Sequence, residues 1–169
     1  SSDLAVVTGS LDLTARVWDA ATGQPLSPIL RHAGMVNAAG FTPDGKFALT
    51  SSDDGAVRLW PVRSAEASFT LAAQTNVLRQ AWPSPDGQRL LTLDQAGESC
   101  VWSATDGARL SSLGNFIFLE WSRNGDALFM RNEEGRIVER DALTGELRRD
   151  LGGGETIGRL VSGSEEHTS

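Results

Sequence analysis

The chain has 169 residues, 40% of them hydrophobic and 22% charged, which is enough for one domain with a sizeable core and excludes disorder over most of the length. Fifteen Lys and Arg against 22 Asp and Glu give a net charge of −7, which repels phosphate backbones and argues against a nucleic-acid partner. Cys100 is the only cysteine, so no intrachain disulfide or cysteine-built zinc site can form, and no apolar run approaches the roughly 18 residues of a membrane span; a cytoplasmic protein with no membrane partner is expected.

Along the chain, short β-biased runs alternate with turns. Residues 4–10, 14–19 and about 25–31 read as three strands. Four more follow at 35–42, 47–52, 56–61 and about 67–73. Phe47-Ala-Leu-Thr-Ser-Ser52 is apolar and ends at Asp53-Asp-Gly55, and Ala56-Val-Arg-Leu-Trp60 alternates as a half-buried strand does. Asp-Gly steps close tight turns because Gly tolerates positive φ and Asp bonds to its own backbone. The next group is 77–82, 89–94, 99–103 and about 108–113. Trp82 is followed by Pro83, which predicts a bulge there. The last full group is 116–121, 127–132, 136–141 and about 146–151. For the tail, residues 155–163, length predicts an innermost strand, whereas similarity to Val7-Thr-Gly-Ser-Leu-Asp-Leu-Thr14 predicts the next one.

These groups are copies of one unit. Ala15-Arg-Val-Trp-Asp19 recurs as Val57-Arg-Leu-Trp-Pro61 and Ser99-Cys-Val-Trp-Ser103, so Trp18, Trp60 and Trp102 lie 42 residues apart. A fourth copy, Ile137-Val-Glu-Arg-Asp141, has Arg140 in the tryptophan slot. Thr42-Pro-Asp-Gly45, Ser84-Pro-Asp-Gly87 and Ser122-Arg-Asn-Gly125 keep the same order, as do Asp19-Ala-Ala-Thr-Gly23 and Asp141-Ala-Leu-Thr-Gly145. A four-stranded sheet of this size cannot bury its own faces, whereas sheets stacked around an axis can, and that arrangement is a propeller.

Arg31-His32, Phe41-Thr-Pro-Asp-Gly45, Thr50-Ser-Ser-Asp-Asp-Gly55 and Val57-Arg-Leu-Trp60 resemble the WD-repeat (WD40) β-propellers, with Arg31 where the family usually has Gly. The phrasing around Trp18-Asp-Ala-Ala-Thr-Gly23 looks like bacterial members of that family. The resemblance implies an all-β fold of about four four-stranded antiparallel blades, at 1–33, 34–75, 76–114 and 115–154, with a terminal strand at 155–163. Such a set is a slice of a larger ring, half of a two-chain ring, or a small closed ring.

The resemblance also implies a structural hydrogen-bonded tetrad in the second blade: His32, Ser52 (or Thr50), Asp54 and Trp60, with the carboxylate accepting from the imidazole. The first blade holds Ser10, Asp12 and Trp18 without a histidine, whose place precedes residue 1, so the chain is expected to be part of a longer one. The third keeps Trp102, with Asp94 in the Ser slot, and the fourth keeps none, so the later blades should be less rigid. Phe41, Trp82 and Trp121, near the ends of the inner strands, read as packing between blades rather than as an aromatic cage.

Family members usually bind partners at the rim of the central channel. The matching positions are Asn37, Leu78 and Ile117 in the inner strands and Leu11, Asp53, Gln95 and Glu133 at the turns, with Arg31 and Arg79 nearby. There is no GxSxG and no Gly-Lys-Ser/Thr phosphate loop, and His32 and His167 are the only histidines, so no catalytic residue, metal or cofactor is expected. The expected function is a non-catalytic scaffold that offers loops to a protein or peptide partner. Self-association could complete the ring. The alternative is a small-molecule sensor or an enzyme that uses the channel, with Asp53, Glu133 and Arg79 as its contributors.

Overall fold

Turn residues set the element boundaries. A computed structural model describes residues 4–62, 69–73 and 76–153. Among them the chain forms β1 (Ala5–Gly9), β2 (Thr14–Asp19), β3 (Leu30–Arg31), β4 (Val36–Phe41), β5 (Phe47–Ser52), β6 (Ala56–Pro61), β7 (Phe69–Ala73) and β8 (Leu78–Pro83). It continues with β9 (Arg89–Asp94), β10 (Glu98–Ser103), β11 (Arg109–Asn115), β12 (Ile117–Trp121), β13 (Ala127–Arg131), β14 (Arg136–Asp141) and β15 (Leu147–Gly153). The described residues contain no helix long and apolar enough to cross a membrane. The readings made on the tail and on His167 lie outside the described residues.

The strands form antiparallel meanders in chain order: β1-β2-β3, β4-β5-β6-β7, β8-β9-β10-β11 and β12-β13-β14-β15. This is the expected all-β fold of stacked blades, with three described strands in the first sheet. Among the described residues β1 pairs with β2 alone, whereas its counterparts β5, β9 and β13 are paired on both sides.

Strand β3 is shorter than the reading of 25–31. Pro25 and Pro28 bring no N–H, and Ser27 substitutes for the missing ladder. The Val17 N–H donates to Ser27 Oγ at 3.0 Å, and the Leu26 N–H donates to the Val17 carbonyl at 2.9 Å.

The core is three slabs, each between consecutive sheets. Val17, Val36 and Ala48 fill the first. The second holds Leu49, Leu59, Leu78, Leu90 and Cys100. Leu91, Val101, Trp121, Leu128 and Met130 occupy the third. Neighbours such as Ala48 and Leu49, or Leu90 and Leu91, point to opposite slabs because side chains alternate along a strand. Strands buried on both faces, such as β5 and β9, therefore read as continuous apolar runs, whereas the outer face of the first sheet leaves Val6 exposed.

The tight turns that join β1 to β2, β5 to β6, β9 to β10 and β13 to β14 need a left-handed residue. Gly55, Gly97 and Gly135 supply it at φ 76°, 89° and 78°, and the first sheet places Leu13 there at φ 70°. A side chain in that conformation costs about 1–2 kcal/mol relative to glycine.

The inner strands carry bulges. The register slips at Asn37 in β4, at Arg79 in β8 and at Leu119 in β12. The bulge expected at Pro83 is therefore four residues earlier. Pro83 pairs with Leu90 at the strand end, where its missing N–H breaks no ladder bond.

Candidate functional site

The side chains around His32 are brought together by register. Trp60 pairs with Ala48 across β5 and β6, which sets its indole diagonally against Thr50, two residues along. Trp60 Nε1 donates to Thr50 Oγ1 at 2.8 Å, and His32 Nε2 lies 2.7 Å from the same oxygen. The imidazole and indole meet edge-on with centroids 5.6 Å apart. Thr50 thus provides the bridging hydroxyl rather than Ser52. Ser52 lies two residues further along the same face, at the turn, where its Oγ accepts the Asp54 N–H at 3.2 Å.

Arg58 enters this group, which the sequence did not reveal. Its NH1 lies 2.5 Å from His32 Nδ1 and 2.7 Å from Asp54 Oδ2. A guanidinium only donates, so Nδ1 accepts from Arg58 and Nε2 carries the proton shared with Thr50. The Asp54 carboxylate stands 3.4 Å from Nδ1. It takes its close bonds from Arg58 and from the Ala33 N–H at 3.0 Å, not from the imidazole as expected. Burial first, and then Arg58, hold the His32 pKa below 6.5, against the pull of Asp54. Burial pushes Asp54 up, but the Ala33 N–H, the Arg58 guanidinium and the Ala56 N–H outweigh it and keep the carboxyl below 3.8. The group is closed and fully engaged: His32 is 8% exposed and Thr50 is 0% exposed.

The same bond recurs at the repeat spacing. Trp18 Nε1 donates to Thr8 Oγ1 at 2.9 Å, and Trp102 Nε1 donates to Thr92 Oγ1 at 2.8 Å. Ser10 and Asp12 work at the turn instead: Ser10 Oγ accepts the Asp12 N–H, and Asp12 Oδ1 accepts from the Thr14 N–H and hydroxyl. Thr8, Thr50 and Thr92 each lie ten residues before a tryptophan, a spacing that would have identified them. In the fourth sheet Met130 and Arg140 stand in these two slots. The Arg140 guanidinium lies 4.6 Å over the Phe116 ring, its NH1 donates to the Gly145 carbonyl at 2.7 Å, and its Nε is buried without a partner among the described residues.

The expected rim residues do not act alike. Leu78 is fully buried between the second and third sheets and offers no side chain to a partner. Leu78 stands where Val36 stands in the second sheet, ahead of the bulge and equally buried, and the counterpart of Asn37 at the 42-residue spacing is Arg79. Asn37 and Asp53 engage each other: Asn37 Nδ2 donates to Asp53 Oδ1 at 2.5 Å and to the Leu78 carbonyl at 2.7 Å, tying the second sheet to the third. Arg79, Gln95, Ile117 and Glu133 are exposed. Ile117 and Glu133 come together with Phe116 and Arg131 around a hollow of about 290 Å³, where Asn115 Nδ2 donates to Glu133 at 3.3 Å. Gln95 lies in a separate hollow beside Asn76 and Val77.

Phe41 packs against the slab between the first two sheets, and Trp82 and Trp121 pack in the one between the last two, linked through Phe118. Cys100 is a core residue whose thiol pKa is pushed up by burial and then by Glu98. Among the described residues no group of three or more His, Cys, Asp and Glu is arranged to hold a metal.

Residues 23–61 match the family described as "WD domain, G-beta repeat". The chain is 40% identical over 60 residues to nuclear distribution protein PAC1 of Tuber melanosporum, a match that covers 36% of this chain and 13% of the relative. It is 42% identical over 59 residues to a guanine nucleotide-binding protein subunit beta of Arabidopsis thaliana, covering 34% of this chain and 16% of that one. A third relative, the DENN domain and WD repeat-containing protein SCD1 of the same plant, is 40% identical over 55 residues, 32% of this chain and 5% of its own length. The chain thus spans a small part of the relatives it matches. These relatives are fungal and plant proteins, so the bacterial phrasing around Trp18 finds no support in them. By sequence the chain is similar to WD-repeat proteins around its second sheet, and its four antiparallel sheets are consistent with WD40 β-propeller blades.

Proposed function

We propose that the chain is a non-catalytic scaffold that presents the rim of its sheets to a protein or peptide partner in the cytoplasm. The observation that carries this reading is the bulge in β4, β8 and β12. A bulge re-aims one side chain out of an otherwise regular ladder, here next to the turns and above buried slabs that hold the sheets in place. Arg79, Gln95, Ile117 and Glu133 are the residues for contact, and Asn37 with Asp53 braces them. One relative is named as a subunit, which supports an assembly role. The alternative, a channel that senses or converts a small molecule, has weaker support, because Asp53 is bonded to Asn37 and Glu133 to Asn115 on another sheet.

The test is capture of partners by crosslinking with the Arg79→Glu, Ile117→Asp double variant, alongside Lys46→Glu at the opposite end of the sheets. The double variant is expected to lose the captured protein and Lys46→Glu to keep it. Equal capture by both would move the binding surface elsewhere. Self-association is a second reading, supported by Val6, exposed on the outer face of the first sheet. Light scattering decides it: a dimer mass supports pairing of two chains, and a monomer mass removes it.

A further inference from the structure

Strands β4, β8 and β12 each end on a residue that points back into the slab shared with the preceding sheet. Phe41 does so opposite Ala48 in the first slab, Pro83 opposite Leu90 in the second and Trp121 opposite Leu128 in the third. The residue before it points forward, because side chains alternate along a strand. Gly40, opposite Leu49, thus faces the second slab, and Trp82, opposite Leu91, faces the third. The third slab receives two indoles from these slots. Phe118 joins them, with ring centroids 4.9 Å from Trp82 and 6.2 Å from Trp121. The second slab receives a glycine and a proline. A Cβ added to Gly40 would meet nothing within 4 Å.

At this end of the second slab lies a cavity of about 440 Å³, a size ordinary for a ligand site. Leu49, Leu59 and Leu90, all buried, form its floor, and Phe47 and Pro83 stand beside them. Its mouth lies between the turn after β4 and the turn after β8, where Pro43, Asp44 and Pro85 are exposed. Asp44 Oδ1 accepts from the Thr42 hydroxyl at 2.6 Å and from the Lys46 N–H at 3.1 Å. Among the described residues its Oδ2 meets only the exposed Lys46 ammonium, at 3.5 Å. We propose that this cavity is a docking site for a tryptophan side chain of a partner polypeptide, at the end of the sheets away from the bulged rim. The indole takes the place that Trp82 and Trp121 fill in the third slab, with its faces on the leucines and prolines. Its N–H donates to Asp44 Oδ2 at the mouth, so the apolar body is buried and the polar tip is met. The exposed turns of two sheets flank the mouth, and the partner's main chain crosses the seam between them. A desolvated pocket of this kind is where an aromatic anchor concentrates binding energy.

The test uses the full 169-residue chain and N-acetyl-tryptophanamide, followed through the methyl resonances of Leu49, Leu90 and Leu128. The probe is expected to shift Leu49 and Leu90 in a saturable way and to leave Leu128, in the third slab, in place. It should bind severalfold more tightly than free indole, which lacks main-chain amides. Pro83→Phe puts into the second slab the residue that Phe41 puts into the first, and should abolish the shift. If that variant does not fold, Gly40→Phe fills the slab from the other side and should weaken binding at least tenfold. The Arg79→Glu, Ile117→Asp chain should bind the probe as the parent does, so this site and the rim stand or fall separately. No saturable shift, an equal shift of Leu128, or full binding by a folded filled variant would overturn the proposal. So would loss of binding in the rim variant, or free indole binding as tightly as the amide, which would assign the cavity to a small aromatic molecule.

Discussion

The second and fourth sheets fill the same space with different chemistry. In the second, Trp60 reaches Thr50 and the hydroxyl passes the connection to His32, Arg58 and Asp54, so two strands, the turn between them and the segment before β4 are joined. In the fourth, Arg140 and Met130 occupy those slots, and the guanidinium rests on Phe116 and on the carbonyl of the next turn. Met130 is fully buried, and among the described residues Arg140 Nε has no partner, so burial is kept while the indole-to-hydroxyl bond is not. What the repeat keeps is a pair of facing slots ten residues apart, which hydrogen bonds fill in one sheet and a stacked cation in the other.

The largest effect that separates the two sheets is expected at Thr50. Thr50→Val keeps the shape and strips the acceptor from two buried N–H donors, so it should cost about 2–4 kcal/mol in urea unfolding. A loss below about 1 kcal/mol would erase the distinction between the sheets.

Acid should come next, and act on the second sheet alone. The His32 pKa is depressed below 6.5, chiefly by burial, so its contribution is present above 6.5 and is lost as pH falls through the depressed value. The loss can reach about 1.4 kcal/mol per pH unit. His32→Gln should flatten the fall in urea midpoint between pH 7.5 and 5. An unchanged slope would clear His32 of that role. Asp54, held below 3.8, adds its own loss only at lower pH, so the two are separable.

Arg140→Met should stay within about 1 kcal/mol of the parent, because the lost ring and carbonyl contacts are offset by removing a buried unpaired donor. A cost above about 2 kcal/mol, measured the same way, would make Arg140 as integral as Trp60. Smallest of all is Arg148→Gln on the exposed face of the fourth sheet. Arg148 touches Asp126 at 3.1 Å and Asp141 at 2.6 Å. The Thr144 N–H and then Arg148 hold Asp141 at a pKa of about 2. Such pairs contribute at most about 1 kcal/mol, and the difference between parent and variant melting temperatures should vanish in high salt.

Strands and their order were legible because Asp-Gly turns and the tryptophan slot recur in step. Ladder register was not. Thr50 and Ser52 share a face two residues apart, and only the pairing of Trp60 with Ala48 decides between their hydroxyls. Arg58 reads as the outward charge of a half-buried strand, yet it bends back onto His32. Leu78 read as rim one residue out of step, since the position 42 residues after Asn37 is Arg79, while Pro83 drew attention to the wrong place for the bulge. Asn37 was legible as a position but not as a brace, since its partners Asp53 and Leu78 belong to a turn and to another sheet.

Cys100, the only thiol in the chain, lies 1% exposed in the slab between the second and third sheets. A thiol reagent reaches it only when that slab parts, so its rate of modification is a clock for one interface among three. Because each sheet packs mainly on its neighbours, the clock can run faster than whole-chain unfolding. A partner clamped across the second and third sheets would slow it, and one seated on the fourth would leave it running.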